Sequence, residues 1–134
     1  MALSKDVLEL LNEASVAAGA TVPTAPGGTE CSVIDTTEVT QCALQLEAVF
    51  HADGTEVCTF HVRGSSSGGT AETDWDTVDY DCATIACVAG SREQMTISID
   101  PAPKYITVFA VNEDSTYSMT SVKVTQEIQE AQAV

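Results

Sequence analysis

The chain of 134 residues has the length of one domain and is long enough to bury a hydrophobic core. Twenty acidic residues stand against five basic ones, which gives a net charge of −15. The five Lys and Arg residues are scattered singly, so the sequence lacks the basic cluster that phosphate contacts need. We therefore expect no nucleic-acid partner, and the same charge disfavours an anionic membrane surface. Hydrophobic residues make up 44% of the sequence but aromatic ones only 5%, which predicts an aliphatic core.

The N-terminal sequence shows no signal peptide, because charged residues such as Lys5, Asp6 and Glu9 interrupt every apolar run. No stretch approaches the roughly 18 apolar residues of a transmembrane helix. We therefore expect synthesis in a host cytoplasm, where thiols stay reduced. Disulfides are then expected only after release to an oxidising environment.

The first segment is predicted to be a short helix over residues 4–13, capped by Ser4. Its apolar stripe is too small to be a core alone, and it consists of Val7, Leu8, Leu10 and Leu11. We therefore predict three parts: an N-terminal arm over 1–13 that contacts a partner through this stripe, a sandwich domain over 14–128, and a C-terminal tail over 129–134.

The rest of the chain alternates between apolar and polar residues with turn signals between the runs. The predicted strands are 31–37, 42–50, 57–63, 78–88, 94–99, 105–111 and 122–128. Asp53-Gly54 is predicted to be a hairpin turn between the second and third of them. Together these features predict an all-β, antiparallel β-sandwich of jelly-roll or immunoglobulin-like class.

The cysteines are odd in number, so at least one sulfur stays free or pairs with another chain: Cys31, Cys42, Cys58, Cys82 and Cys87. They contain no C-x-x-C pair, and His51 and His61 fall in neither zinc-finger pattern, so we expect no metal. Two alternatives stay open. All five are reduced packing residues, or at least one disulfide forms within or between chains.

Strand alternation divides the cysteines. Cys42 and Cys58 share the inward face of the two arms of the predicted hairpin, which makes them candidate cross-strand neighbours. Cys82 and Cys87 are five residues apart, so a continuous strand points them to opposite faces and turns one of them outward. Cys31 lies beside a Pro-Gly-Gly loop and is expected to be exposed.

No catalytic constellation is evident, so we expect no enzyme, no catalytic residue and no cofactor. Neither histidine lies near a nucleophile motif, and the Ser/Gly-rich loop over 65–70 lacks the Lys and the helix of a phosphate loop. The acidic run over 72–81 lacks the Gly and closing Glu of an EF-hand and is predicted to be a solvated loop, with Trp75 folded back onto the sandwich.

A carbohydrate-binding sandwich is the alternative from another functional class. Such a module needs exposed stacking aromatics, and the candidates are Trp75, Tyr80, Tyr105 and Tyr117.

The segment from Ala48 to Val124 carries a series of strand and turn sequences, at His61–Ser66, Trp75–Thr77, Met95–Pro101, Lys104–Asp114 and Val122–Thr125. In the order of these strand and turn sequences, the segment resembles the small accessory virion proteins of tailed bacteriophages. The resemblance implies a β-sandwich in the virion that decorates or links capsid subunits, or a neck or collar component. It also implies a trimer or ring of the chain itself, with major capsid or neck proteins as partners. Five cysteines depart from the usual low-cysteine pattern and suggest a disulfide-reinforced particle.

Overall fold

The structure, a computed structural model, describes residues 2–23 and 33–132. In these residues the chain forms strands and one short 3-10 turn at Glu72–Asp74. The strands are β1 (Ala2–Glu13), β2 (Thr21–Val22), β3 (Ile34–Asp35), β4 (Val39–Val49), β5 (Cys58–Ser65), β6 (Asp81–Ile85), β7 (Arg92–Ile99), β8 (Tyr105–Asn112) and β9 (Ser121–Gln132).

The strands form two antiparallel sheets that face each other. Sheet I has the order β1-β9-β4-β7. Sheet II has the order β2-β8-β5-β6, and β3 also pairs with β8. The predicted all-β antiparallel sandwich is therefore confirmed.

The core between the sheets is aliphatic and follows the predicted alternation. Every second side chain of β4 from Cys42 to Ala48 is buried, and so is every second side chain of β5 from Cys58 to Val62. Strand β9 contributes Val122, Val124 and Ile128 from the other end of the chain. Each such side chain gains about 1.5–3 kcal/mol from leaving water.

The predicted helix over residues 4–13 is wrong, because this segment is the edge strand β1. It pairs with β9 from Ala2↔Gln132 to Glu13↔Val122, with a bulge between Glu9 and Leu11. The bulge adds one residue to the strand, so the consecutive Leu10 and Leu11 are both buried. Two adjacent buried leucines are a helical pattern in the sequence, and the bulge produces the same pattern in a strand.

The segments expected as arm and tail lie within sheet I. Leu10 and Leu11 belong to the core, whereas Val7 and Leu8 are exposed on β1. At the other end, residues 129–132 continue β9 and pair with residues 2–5. The apolar stripe is thus divided between core and surface.

The predicted hairpin at Asp53-Gly54 is also wrong. A turn does form there, closed by a hydrogen bond from Gly54 N to His51 O of 2.9 Å. However, β4 pairs with β7 and β9, while β5 pairs with β6 and β8. Residues 50–57 therefore cross from sheet I to sheet II instead of joining neighbouring strands.

The loop between β8 and β9 is held by two buried polar side chains, Asn112 and Asp114. The Asn112 amide donates to Ala17 O and Tyr117 O, at 3.2 and 3.0 Å. Asp114 accepts from the backbone N–H groups of Thr55, Thr116 and Tyr117, at 2.9–3.0 Å. These hydrogen bonds lower the pKa of Asp114 to about 2.

We predict that Leu11→Ala lowers the free energy of unfolding by about 2–5 kcal/mol, because it leaves a cavity in the core. Leu8→Ala, on the half-exposed part of the same strand, is expected to cost less than about 1 kcal/mol. Urea denaturation of the two variants measures the difference. Equal, small effects would contradict the assignment of β1 to the sandwich.

The depressed pKa of Asp114 predicts an acid-sensitive contribution to stability. Its folded-state pKa lies below the ordinary value of roughly 3.9, so the contribution is present above pH 4 or so and is lost as the pH falls towards 2. Asp114→Asn should therefore lower the free energy of unfolding at pH 7, and the deficit should shrink towards pH 2. Denaturation curves across this range, with the exposed Asp53→Asn as control, test it. A deficit independent of pH would contradict the argument.

Candidate functional site

The two inward cysteines lie in different sheets, so the predicted cross-strand neighbourhood of Cys42 and Cys58 is wrong. Cys42 pairs with Ile99 and Ile128 in sheet I, and Cys58 begins β5 in sheet II. Seven residues of strand separate Cys42 from the end of β4 where the chain crosses over, roughly 23 Å. A disulfide requires Cα atoms within about 7 Å. Both thiols are free and buried.

Burial makes the Cys42 and Cys58 thiols unreactive. Desolvation raises the pKa of Cys42. It raises the pKa of Cys58 to about 12, with the charge of Glu113 adding to the effect. Since the thiolate is the reactive form, neither group is a candidate for cross-linking in the native fold.

Cys82 and Cys87 differ in exposure. Cys82 is exposed on the outer face of β6, while Cys87 lies beyond the end of β6 and packs partly against the core. Burial raises the pKa of Cys87, with Asp114 and Glu56 adding to it. All four described cysteines are free. Cys31 lies outside the described residues.

Cys82 begins a row of side chains across the outer face of sheet II. It pairs with His61 of β5, and His61 pairs with Phe109 of β8. The His61 ring stacks on Phe109 with centroids 4.8 Å apart, and the Arg63 guanidinium lies 5.1 Å from the same ring centre. An exposed thiol thus lies beside a surface where an imidazole and a guanidinium pack on an aromatic ring.

Asp79 joins the His61 and Arg63 side chains of this surface. It accepts from His61 Nδ1 at 2.7 Å and from Arg63 Nε at 2.5 Å. Partial burial opposes its ionisation, but the hydrogen bonds from His61 and Arg63 outweigh burial and lower the pKa of Asp79. Asp79 belongs to the acidic run that was predicted to be a solvated loop, so these two side-chain partners were not expected. The outward alternation of His61 and Arg63 was the signal that a carboxylate partner was needed.

The second ring nitrogen of His61 also has a partner. Its Nε2 lies 3.1 Å from Thr59 Oγ1, and that oxygen lies 2.9 Å from Glu113 Oε1. The imidazole is therefore held at both nitrogens while its face stacks on Phe109.

The Ser/Gly loop that leads to Asp79 is held in one conformation, although its composition predicts flexibility. Ser65 Oγ accepts from Gly68 N at 2.9 Å and donates to Asp74 O at 2.6 Å. Gly68 has φ +66°, and a Cβ there would lie 2.8 Å from the Tyr105 ring, so only glycine fits. Trp75 is 4% exposed and donates to Gly69 O, as its predicted return to the sandwich requires.

The described basic side chains are occupied by local partners. Arg63 binds Asp79, Arg92 binds Glu47, and Lys123 Nζ lies 3.2 Å from Glu9. Lys104 lies over the Tyr105 ring at 5.4 Å. Within residues 2–23 and 33–132, no group of three or more His, Cys, Asp and Glu side chains is placed to hold a metal ion.

The candidate stacking aromatics do not form a common surface. Trp75 is buried, Tyr117 stacks on His51, and Tyr80 donates to Asp100 O. A groove of about 630 Å³ lies where β4 begins and β7 ends, beside residues 127–129 of β9. Its described lining, which includes Ala43, Ser98 and Glu127, contains no aromatic side chain. This arrangement does not favour a glycan-stacking platform. No helix in the described part of the chain is long and apolar enough to cross a membrane.

No protein-family model and no curated protein matches the sequence. Among solved structures, the chain is similar to the K1 cleaved adhesin domain of Lys-gingipain from Porphyromonas gingivalis W83. The two are 15% identical with a TM-score of 0.44, over 77% of this chain and 62% of that one. The chain thus spans less than two thirds of that domain, and so distant a likeness says nothing about binding or partners.

The different burial of the thiols predicts their order of reaction. Under native conditions a maleimide should modify Cys82, whereas Cys42 and Cys58 should react only after unfolding. Mass spectrometry of digested, labelled protein measures each site. Cys82→Ser should remove a fast-reacting site, and the matched Cys58→Ser should not. Fast native labelling of Cys58 would contradict its burial.

Proposed function

We propose that the protein is a structural component of a tailed-bacteriophage virion that decorates or links capsid subunits and stabilises the particle. The alternative position in the particle is the neck or collar. Residues 48–124 support this role, because their order of strand and turn sequences resembles that of accessory virion proteins. These residues extend from the end of β4 into β9 and therefore form part of the sandwich.

The observation that carries the linking role is the exposed free thiol of Cys82. Strand β6 is the outermost strand of sheet II, so the sulfur lies at an edge that a neighbouring chain can approach. Cys42 and Cys58 are buried, which reduces the described candidates for an intermolecular bond to Cys82 and the half-buried Cys87. Cys31 is expected from the sequence to be exposed and lies outside the described residues.

The surface around Cys82 supports a specific contact. His61, Arg63 and Phe109 form a packed patch, in which Asp79 accepts hydrogen bonds from both His61 and Arg63. Aromatic and Arg side chains are enriched at protein interfaces, so this patch suits contact with a capsid or neck neighbour or with a second copy of this chain. Many weak contacts of this kind, repeated over a particle, give strong attachment.

We expect the chain to co-sediment with purified particles, and gels should show a disulfide-linked species that reductant removes. Particles are treated with N-ethylmaleimide before lysis to prevent thiol exchange. Particles assembled with Cys82→Ser should lose the linked band, and those with Cys58→Ser should keep it. Electron microscopy of a gold-labelled chain would distinguish capsid from neck.

Two results would overturn separate parts of this proposal. Particles that lack the chain would exclude the virion role. A chain that runs as a monomer with and without reductant, and whose five thiols all react with label after unfolding, would exclude the disulfide link. Binding of the isolated chain to a glycan array would favour the carbohydrate-binding alternative.

A further inference from the structure

The carbonyl of His51 holds the crossover between the two sheets in place. His51 O accepts from Gly54 N and from Gly90 N, each at 2.9 Å. The first bond closes the turn over residues 51–54, and the second ties this turn to the loop between β6 and β7. The conformation at His51 therefore fixes how two separate segments of the chain meet.

The His51 side chain closes the same turn through its ring. Asp53 N lies 2.9 Å from His51 Nδ1. A backbone N–H group only donates, so Nδ1 is the acceptor and carries no proton. The imidazole is thus neutral in this arrangement, with its one N–H at Nε2. The ring also stacks on Tyr117, with the two centroids 4.8 Å apart.

Acidic groups surround this neutral ring. Asp53 Oδ2 lies 4.0 Å from Nδ1, and Glu56 and Asp114 line the same small cavity as the ring. The titratable group from the loop between β8 and β9 is the stacked phenol of Tyr117. Among the described residues that line this cavity, none is Lys or Arg. A proton on His51 would therefore gain favourable charge contacts, but it would remove the hydrogen bond from Asp53 N.

The turn over residues 51–54 covers one side of the Cys87 thiol. A Cβ atom added at Gly54 would lie 3.5 Å from Cys87 Sγ, so the backbone of the turn passes close to the sulfur. Cys87 is half-buried, whereas Cys58 is fully buried in the core. Opening of the turn would therefore uncover Cys87 and leave Cys58 protected.

We propose that the hydrogen bond from Asp53 N to His51 Nδ1 is a pH-sensitive latch, and that protonation of His51 opens the turn over Cys87. Histidine is the side chain whose charge changes between pH 5 and 8. A protonated Nδ1 and Asp53 N are two facing donors, so the bond between them breaks. The imidazolium then turns towards the Asp53 carboxylate. The latch is closed near pH 8 and opens as the pH falls towards 5.

The size of the effect follows from the loss of one hydrogen bond, which increases the open fraction of the turn about three- to tenfold. The latch goes beyond the proposed function, because it controls the exposure of a thiol other than Cys82. It also gives Cys87 a condition under which it becomes available for modification.

Nuclear magnetic resonance tests the geometry of the latch directly. Near pH 8, long-range proton–nitrogen correlations should show His51 with its proton on Nε2. As the pH falls towards 5, the Asp53 amide resonance should move with the same midpoint as the His51 ring. The exchange protection of the Gly54 amide, corrected for the intrinsic rate, should fall about three- to tenfold. A proton on Nδ1 near pH 8, or an Asp53 amide that does not follow the ring, would overturn the latch.

Site-resolved mass spectrometry of maleimide labelling tests the exposure of Cys87. Glutathione in the same sample serves as the reference, because its thiolate fraction falls with pH as that of the protein thiol does. The rate of Cys87 relative to glutathione should rise about three- to tenfold as the latch opens. A ratio that stays constant, or one that rises while the Gly54 amide keeps its protection, would contradict opening of the turn.

Three variants assign the effect to the latch. His51→Gln stays neutral at every pH, so both changes should disappear, and retained exchange protection in β4 shows that this variant is folded. The matched His61→Gln removes the other histidine and should keep both changes. Asp53→Asn should move the transition to lower pH, because the carboxylate favours the imidazolium. A pH response that persists in His51→Gln would exclude His51 as its origin.

The latch and the proposed function can fail separately. A turn that is independent of pH leaves the role of Cys82 in particles untouched. Particles that lack the chain would exclude the virion role and leave the pH response of the isolated chain intact.

Discussion

The position of β9 between β1 and β4 is the constraint on which the structure depends. This strand fills the centre of sheet I, forms ladders on both sides and contributes Val122 and Val124 to the core. Because β9 is the last described strand and pairs with the first, β1 can join sheet I only when β9 is in place. The buried Asn112 and Asp114 fix the loop that delivers β9 to this place. Their hydrogen bonds are obligatory, because an unsatisfied buried polar group costs about 1–3 kcal/mol.

Local alternation was enough to predict the class of fold and the inward faces of β4 and β5. Leu44 and Leu46 against Gln45, and Phe60 against His61, show a period of two that a half-buried strand requires. It was not enough for β1, because the bulge buries Leu10 and Leu11 together and hides the period. Nor was it enough for the pairing of β4. The turn at Gly54 is real, but the partners of β4 lie about 50 and 80 residues further along the chain, and pairing over such distances leaves no local mark in the sequence.

The candidate site was predictable in its parts but not in its assembly. The odd number of cysteines and their alternation indicated that one of Cys82 and Cys87 is outward. The neighbours of Cys82 could not be inferred, because they come from β5, β8 and the acidic loop. That loop is ordered by Ser65 and Trp75, and it brings Asp79 to Arg63 and His61, which lie 16 and 18 residues earlier. A run of acidic residues in which one aspartate has a structural partner looks the same in sequence as a run in which none has.

The antiparallel pairing of β1 with β9 also sets how the molecule responds to force. Ala2 and Gln132 lie opposite each other at one end of the ladder, whose hydrogen bonds run perpendicular to the strands. Tension that separates these two residues loads the bonds one pair at a time and opens the ladder like a zipper. Tension along the strands instead loads the hydrogen bonds of a whole ladder together. The sandwich should therefore resist load along its strands far better than load that separates Ala2 from Gln132.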